Sequence, residues 1–562
     1  MKRINYICLM LLLVLGVTSC DKVLDKQPLT SFTNDNFWTS EANVELYANY
    51  FYNEWTGYGN GSSTSSDFYF ATLNDNQAAS GFARFTQNVP ASDGTWSGCY
   101  TEIRRANIMI EKIPGIASMN EPAKNHWLGV ARLYRAWQHF CLVRRFGDAV
   151  IVDKALNVGQ EDKDAYLYAP RADRNKVMDF VLEDLNFAVA NINKNASSRT
   201  AYNVNVANAI KSRICLFEGT YAKYHQNDAS RANTWLAESK KASEAIMGNS
   251  MFSLNDSYRA NYNSDDLSKN PEMIMYKKYV YGVLAHSLIS YTCSSTQLHG
   301  MSKDAFDAYL FVDGLPKATT GEDTNDKGTV NENGQIDIQA LLDVRDPRLA
   351  ETIDHILMPR GNGYKRYDAG MVSTSSTGYG ICKYDTPIYA ATDRNTTGRN
   401  QTDGPIFWLA EILLNYAEAC AEMGNCSKSD LDKSINLLRA RAGMPDLSVE
   451  PVADPANNHG VSNLIWEIRR ERRIELMFDL KDRYWSLIRW KQLDKLDNGL
   501  YPDQTRGAWI GESIPEGANV DAEGYIDAST GLTRTFDNKY YFEPIPSGQI
   551  QLNPQLSQNP GW

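Results

Sequence analysis

Trp127, Val130, Tyr134, Trp137 and Cys141 recur at intervals of three and four residues, the spacing that puts side chains on one face of an α-helix. The same period appears on both sides of a long irregular middle, and it constrains the fold more than any other feature. Before the middle it is carried by Val44, Tyr47, Phe51 and Trp55, and by Ile103, Ala106, Ile110 and Ile113, which Pro114 halts. Val177, Phe180, Val181, Leu185, Ala188 and Ile192 continue it, and further helical patterns cover about 205–224 and 231–247. Gly147 reads as the stop of the Trp127–Cys141 stripe. After the middle, "PIFWLAEILLNYAEACAEMG" places Pro405 at a first-turn position and Gly424 at the end. "DLDKSINLLRARAG" then sets Leu431, Ile435 and Leu438 on a second stripe. Two helices and a short link of this size match one tetratricopeptide-type unit, although the consensus of that repeat is poorly matched.

The stretch between about 250 and 400 is rich in Gly, Asn, Asp, Ser, Thr and Tyr, with short alternating runs such as "EMIMYKKYVYG". It reads as loops with a few short strands. A second irregular insertion covers about 56–95, and the tail 530–562 has no helix signal but enough aromatics to pack against the rest. The expected fold is therefore mainly α: a tetratricopeptide-like helical-hairpin scaffold over about 38–250 and 403–490, carrying long loop insertions. With 562 residues, 43% of them hydrophobic, the chain can bury a large core.

The N-terminus, "MKRINYICLMLLLVLGVTSC", pairs two cations with an apolar run too short to span a bilayer. Small residues directly before Cys20 resemble a lipobox, so residues 1–19 read as a lipoprotein signal peptide and Cys20 as the lipid anchor of a single domain, 20–562. No later run is long and apolar enough to cross a membrane.

"EIRRERRIELMFDLKDRYWSLIRW", from Glu467 to Trp490, mixes basic and aromatic residues as a single-strand nucleic-acid groove does. Five acidic residues within it and a net charge of −11 for the chain argue against nucleic acid. A helix with internal ion pairs, such as Arg472 with Glu475, explains the pattern better. Cysteines form no CxxC; Cys141, Cys215 and Cys420 sit in apolar helical patterns as buried small hydrophobes. "GEDTNDKGTVNENGQID" is dense in oxygen ligands, but Lys327 occupies a ligand position of an EF-hand register, so it reads as a solvated loop. No metal or cofactor is expected.

Taken in order, these segments resemble the SusD/RagB family of outer-membrane nutrient-binding lipoproteins. The carriers are the Cys20 lipobox followed by "LDKQPLTSFTNDNFW"; "TWSGCYTEIRRANIMIEKIP"; "VARLYRAWQHFCLVRRFGDAV"; "DAYLFVDGLP"; "VRDPRL"; the "PIFWLAE" helix; "ERRIEL…DRYWSLIRW"; and the "YFEPIPSGQIQLNPQLSQNPGW" tail. The resemblance implies that Trp96, Arg472, Arg473 and Glu475 are structural signature residues, the last three in a satisfied ion-pair network. This chain has "ELMFDLKDRYW" where the family commonly shows Glu-Gly and a smaller residue, which puts the local packing there in question.

The resemblance further implies a non-enzymatic protein on the cell exterior, anchored to the outer membrane by lipid. It would bind a nutrient glycan and pass it to a SusC-like TonB-dependent transporter. Sugars are held by aromatic faces and by hydrogen bonds from amides, carboxylates and guanidiniums. The insertions offer Trp55, Tyr58, Tyr69, Asn74, Asp75, Asn76 and Arg84, and then Tyr279, Tyr281, Tyr291, Gln297 and His299. Trp55 closes a helix stripe, and Phe68 and Phe70 flank Tyr69 as a buried edge would, so core packing competes with ligand contact at these positions. A peptide-capturing member of the family and a surface glycoside hydrolase are the alternatives. The hydrolase needs two carboxylates across the scissile bond, and no HExxH, G-x-S-x-G or P-loop accompanies such a pair.

Overall fold

The structure, a computed structural model, describes residues 37–562 apart from 71–72, 80, 82, 158, 160, 195–197, 294–298, 369–371 and 512–514. Cys20 and the signal peptide lie outside the described residues. Helices dominate, and the strands form two-stranded sheets only, among the described residues. None of the described helices is long and apolar enough to cross a membrane.

Most of the long helices begin where the sequence supplies a cap. Asp93 accepts hydrogen bonds from the backbone N–H groups of Thr95 and Trp96 to open Gly94–Lys112, and Asn120 accepts from Ala123 to open Glu121–Phe146. Asn203 and Asp228 cap Val204–Tyr221 and Ala229–Met247 in the same way. Gly147, at φ 76°, ends the second of these helices as its position in the sequence indicates.

Consecutive helices pack as hairpins. Glu121–Phe146 lies between Gly94–Lys112 and Arg174–Asn191, and Val204–Tyr221 pairs with Ala229–Met247. The last pair approaches closely at Gly219, where a Cβ would stand 2.7 Å from Leu236 Cγ. Ala229–Met247 then packs on Leu409–Glu422, which packs on Asn463–Glu475, so the two helical blocks of the sequence form one scaffold.

Leu409–Glu422 is buried along its whole length. Its carboxylates are tolerated there because each meets a cation: Glu411 with Arg213 at 2.6 Å, Glu418 with Arg489 through 2.8 Å and shorter bonds, and Glu422 with Lys223 and Arg469 at 2.8 Å each.

Several local expectations are corrected. Pro405 does not open a helix; Gly404–Trp408 is a strand, antiparallel to Met273–Lys277, and the helix starts at Leu409. Proline fits because this sheet has only two strands, so each is an edge. The Leu431–Leu438 stripe is buried, but its helix is split into Lys428–Asp432 and Ile435–Arg441 by Ser434, at φ −139° and ψ −95°. The middle of the chain holds short helices as well as strands, among them Leu288–Cys293, Lys303–Ala308 and Arg348–Thr352. The oxygen-rich loop contains a hairpin, Thr329–Val330 against Ile336–Asp337. The tail includes the six-residue helix Ser547–Leu552 and is held to the scaffold by Glu543 N–H on the Arg145 carbonyl at 2.8 Å.

The basic-aromatic stretch is two helices, Asn463–Glu475 and Asp482–Arg489, joined by a turn in which Phe478, Leu480 and Lys481 have φ between 54° and 69°. Arg472 does not pair with Glu475. It donates to Asp482 at 2.7 Å and to Asn415 at 2.8 Å, while Glu475 accepts from Arg348 at 2.9 Å and from Arg441. Partners from other elements satisfy both oxygens of the buried Glu475 carboxylate, Arg348 on one and Arg441 on the other.

Candidate functional site

The two insertions, separate in sequence, meet in space. Gln77–Ala78 pairs antiparallel with Gly300–Met301, Gln77 opposite Met301 and Ala78 opposite Gly300. Ser302 extends the junction: its N–H donates to the Asn76 carbonyl at 3.0 Å and its hydroxyl to the Asp75 carbonyl at 2.6 Å. A side chain at Gly300 would collide with Thr377 Oγ1 and Ser375 Oγ, each within 2.2 Å of a Cβ, so only glycine lets this strand lie against the third segment.

Arginines from three segments fasten the junction to the scaffold. Arg483 binds Asp75 through two nitrogens at 2.7 and 2.5 Å. Arg473 donates to Asn76 Oδ1 at 2.8 Å and to Asp304 at 2.6 Å, and so joins both insertions to the Asn463–Glu475 helix. Arg534 from the tail reaches the Asn74 carbonyl at 3.2 Å. Burial alone would raise the Asp75 pKa, but Arg473 and Arg483 hold it well below the usual carboxylate range. Asp75 is therefore a charged clamp.

The structure divides the candidate residues. Asn74, Asp75 and Asn76 are buried in the clamp. Trp55 donates to Tyr202 Oη at 2.8 Å, Tyr58 to the Tyr262 carbonyl at 2.8 Å, and Tyr279 to the Gly59 carbonyl at 2.8 Å, all within the core. Tyr69 is buried, its hydroxyl 3.3 Å from both the N and the O of His299. Trp96 is buried on Phe146, ring centres 5.2 Å apart. Gln297 lies outside the described residues. Arg84 and Tyr281 are exposed.

What remains at the junction is a half-buried aromatic rim. Tyr291 meets Phe70 edge-on with centroids 5.2 Å apart, and its hydroxyl donates to the Ser62 carbonyl at 3.1 Å. His299 stands 5.2 Å from Tyr69, with a buried Nδ1 that has no hydrogen-bond partner among the described residues. Burial pushes its pKa down to about 4, so it is neutral at pH 7 and able to donate or accept one hydrogen bond. Phe70 was not among the candidates because its alternation with Phe68 resembles a buried edge; only the tertiary position shows its partly open face. Arg483, central to the clamp, and Arg348, central to the separate buried ion cluster of Asp346, Glu471 and Glu475, sit inside the recognisable "DRYW" and "VRDPRL" segments, which is the signal that could have picked them out.

A helical-hairpin scaffold that presents a loop-built polar and aromatic surface is the class of protein these features define. Residues 243–562 match the model of the SusD family, and residues 21–216 match a model described as "Starch-binding associating with outer membrane". The chain belongs to the SusD family. A SusD-like protein of Bacteroides ovatus is 22% identical over 96% of this chain and 94% of its own length. The SusD-like protein P38 of Formosa agariphila is 23% identical over 86% of this chain and 90% of its own. Among solved structures, a SusD-like carbohydrate-binding protein of Bacteroides fragilis superposes with a TM-score of 0.70 at 21% identity, covering 93% of this chain and all of that one. A protein called a laminarin-binding SusD-like protein superposes at 0.55 with 17% identity, covering 93% of this chain and all of its own.

Proposed function

We propose that this protein is a non-catalytic, lipid-anchored glycan-binding protein of the cell surface that captures an oligosaccharide or polysaccharide at the junction of its insertions and hands it to a TonB-dependent transporter. The observation that carries the reading is the rim of Phe70, Tyr291 and His299 on a SusD-family scaffold: partly open ring faces beside a neutral imidazole suit the apolar face and hydroxyls of a sugar. The names of two similar structures, one carbohydrate-binding and one laminarin-binding, agree with it. Cys20 after small residues supplies the anchor.

Non-catalysis is supported by where the perturbed carboxyls lie. Burial raises Asp403 and Asp479 to about 6. Asp403 is spent on the backbone N–H groups of Tyr279 and Leu267, and Asp479 on Lys383 at 2.7 Å and the Tyr384 hydroxyl at 3.1 Å. Both are fully enclosed, so neither can reach a glycosidic oxygen in this state.

The test is an affinity-gel screen of the soluble chain from Asp21 onward against neutral polysaccharides, with reducing ends assayed in parallel. A retarded glycan, retardation lost with Tyr291→Ala by about tenfold in Kd or more (about 1.4 kcal/mol), and no new reducing ends are expected. Release of reducing ends, or a Tyr291→Ala variant that binds as well as the parent, would overturn the reading.

A further inference from the structure

On the scaffold side of the clamp lies a cavity of about 370 Å³ between the Asn463–Glu475 helix and the segment that follows Trp490. Its volume is at the lower end of what small-molecule sites occupy. Lys495 lines it and forms no ion pair or side-chain hydrogen bond among the described residues; its ammonium stands 4.7 Å from the centre of the Trp466 ring. Of the carboxylates close enough to influence it, Asp75 and Asp304 are held by Arg483 and Arg473, and the neighbouring Asp494 makes no ion pair with it among the described residues.

Arg469, also lining the cavity, has a side chain only 4% exposed and two nitrogens, Nε and Nη1, without a hydrogen-bond acceptor among the described residues. Its one carboxylate partner, Glu422, is shared with Lys223. The three acidic residues of the wall do not offset this, because each has a cation of its own: Asp454 is bound by Arg470 and the Trp466 indole, Asp304 by Arg473 and Asp307 by Lys303. Burial and the neighbouring Arg483 lower the Lys495 pKa to about 8, the mark of a cation kept without a counter-charge. Unpaired buried cations destabilise a fold, and where they persist in a cavity they indicate a ligand that supplies the missing charge.

We propose that this cavity is a second binding site, distinct from the aromatic rim, that takes an oxyanion-bearing sugar: its carboxylate or sulfate bound by Lys495 and Arg469, its ring set against the half-buried Trp466 and Tyr501. The sugar part of this assignment rests on the glycan-binding function proposed above; the oxyanion part rests on the cations alone. A uronic acid or a sulfated monosaccharide has both features, an anion for the guanidinium and ammonium groups and a C–H face for the indole.

Calorimetry on the soluble chain from Asp21 onward, with glucuronate, glucose 6-sulfate, glucose and inorganic sulfate as probes, tests this. The acidic sugars should bind at least tenfold more tightly than glucose. Lys495→Met and Lys495→Gln should each bring them to the level of glucose, and Lys495→Arg should retain binding; the pair of neutral variants guards against one that fails to fold. Trp466→Ala should weaken the sugars and leave inorganic sulfate unchanged. Tyr291→Ala should leave the acidic sugars unaffected, so failure here is separable from failure of the rim. Acidic sugars that bind no better than glucose, or undiminished binding in both neutral Lys495 variants, would overturn the site. Inorganic sulfate binding as tightly as the sugars would overturn the sugar assignment.

Discussion

His139 shows how single buried groups set the pH range in which this fold is stable. Its Nδ1–H donates to the Arg135 carbonyl at 3.0 Å and its Nε2 accepts from the Val152 N–H at 3.4 Å, so both nitrogens are used in the neutral form. Burial pushes its pKa from 6.5 down to about 4. The unfolded chain takes up this proton near pH 6.5 and the native state does not until about 4, so the stability from this group is complete above 6.5 and lost as pH falls between the two values, by about 3 kcal/mol. The stability gap between the parent and His139→Gln, measured by urea unfolding across pH 4–8, should be widest at pH 7 and narrow toward pH 4; a constant gap would show that His139 titrates normally. Sequence could not separate such residues from ligand groups. Tyr58 and Tyr291 belong to the same kind of Tyr- and Asn-rich insertion, yet one is buried against Phe68 and Tyr384 and the other is half open at the rim. Ring chemistry is identical in both; the difference is which neighbours the folded chain brings, and one sequence does not encode that locally.

At the scale of elements, the long helices were legible because their apolar periods and stops are local: Gly147 and Gly424 mark ends in sequence as in space. The break at 476–481 was not, since Leu476, Met477 and Phe478 are buried and keep an apolar pattern while the backbone turns left-handed at Phe478. That turn has a consequence for the junction, because the Phe478 carbonyl accepts the Tyr69 N–H at 3.0 Å and the next helix delivers Arg483 to Asp75. Arg473 was expected in an ion-pair network of its own stretch, with Asp75 and Asn76 as ligand contacts; instead its partners Asp304 and Asn76 lie 169 residues and more away along the chain, beyond the reach of any spacing rule. Arg473→Ala should leave Asp304 and part of the buried Asp75 charge unpaired and destabilise by about 3–5 kcal/mol. Hydrogen exchange should report first and most at 74–79 and 300–304, the two edges of the junction, with the Val204–Tyr221 helix little changed. Uniform loss of protection would mean that the insertions do not depend on this tether.

For the whole molecule, the scaffold and the junction set up two faces with different tasks. The helical hairpins supply a rigid body, the fold that solved SusD-like structures share at TM-scores of 0.70 and below in this comparison. The rim residues Phe70, Tyr291 and His299 are only half-buried and sit on short elements and loops, so they can move relative to that body at lower free energy than the long helices can move relative to one another. Under the proposed function, a protein anchored by Cys20 and bearing such a rim would gain little by binding glycan tightly alone, since the ligand would have to leave again toward the transporter. Contact with both partners at once would instead slow escape through a raised effective concentration. Extraction in mild detergent should therefore copurify the native protein with a large β-barrel, through an interface above about 1,000 Å². Cys20→Ala should shift the protein out of the membrane fraction and reduce that copurification, while the soluble chain keeps its glycan affinity. Repeated recovery of the lipoprotein alone, with glycan affinity equal to that of whole cells, would leave the transporter without a part in capture.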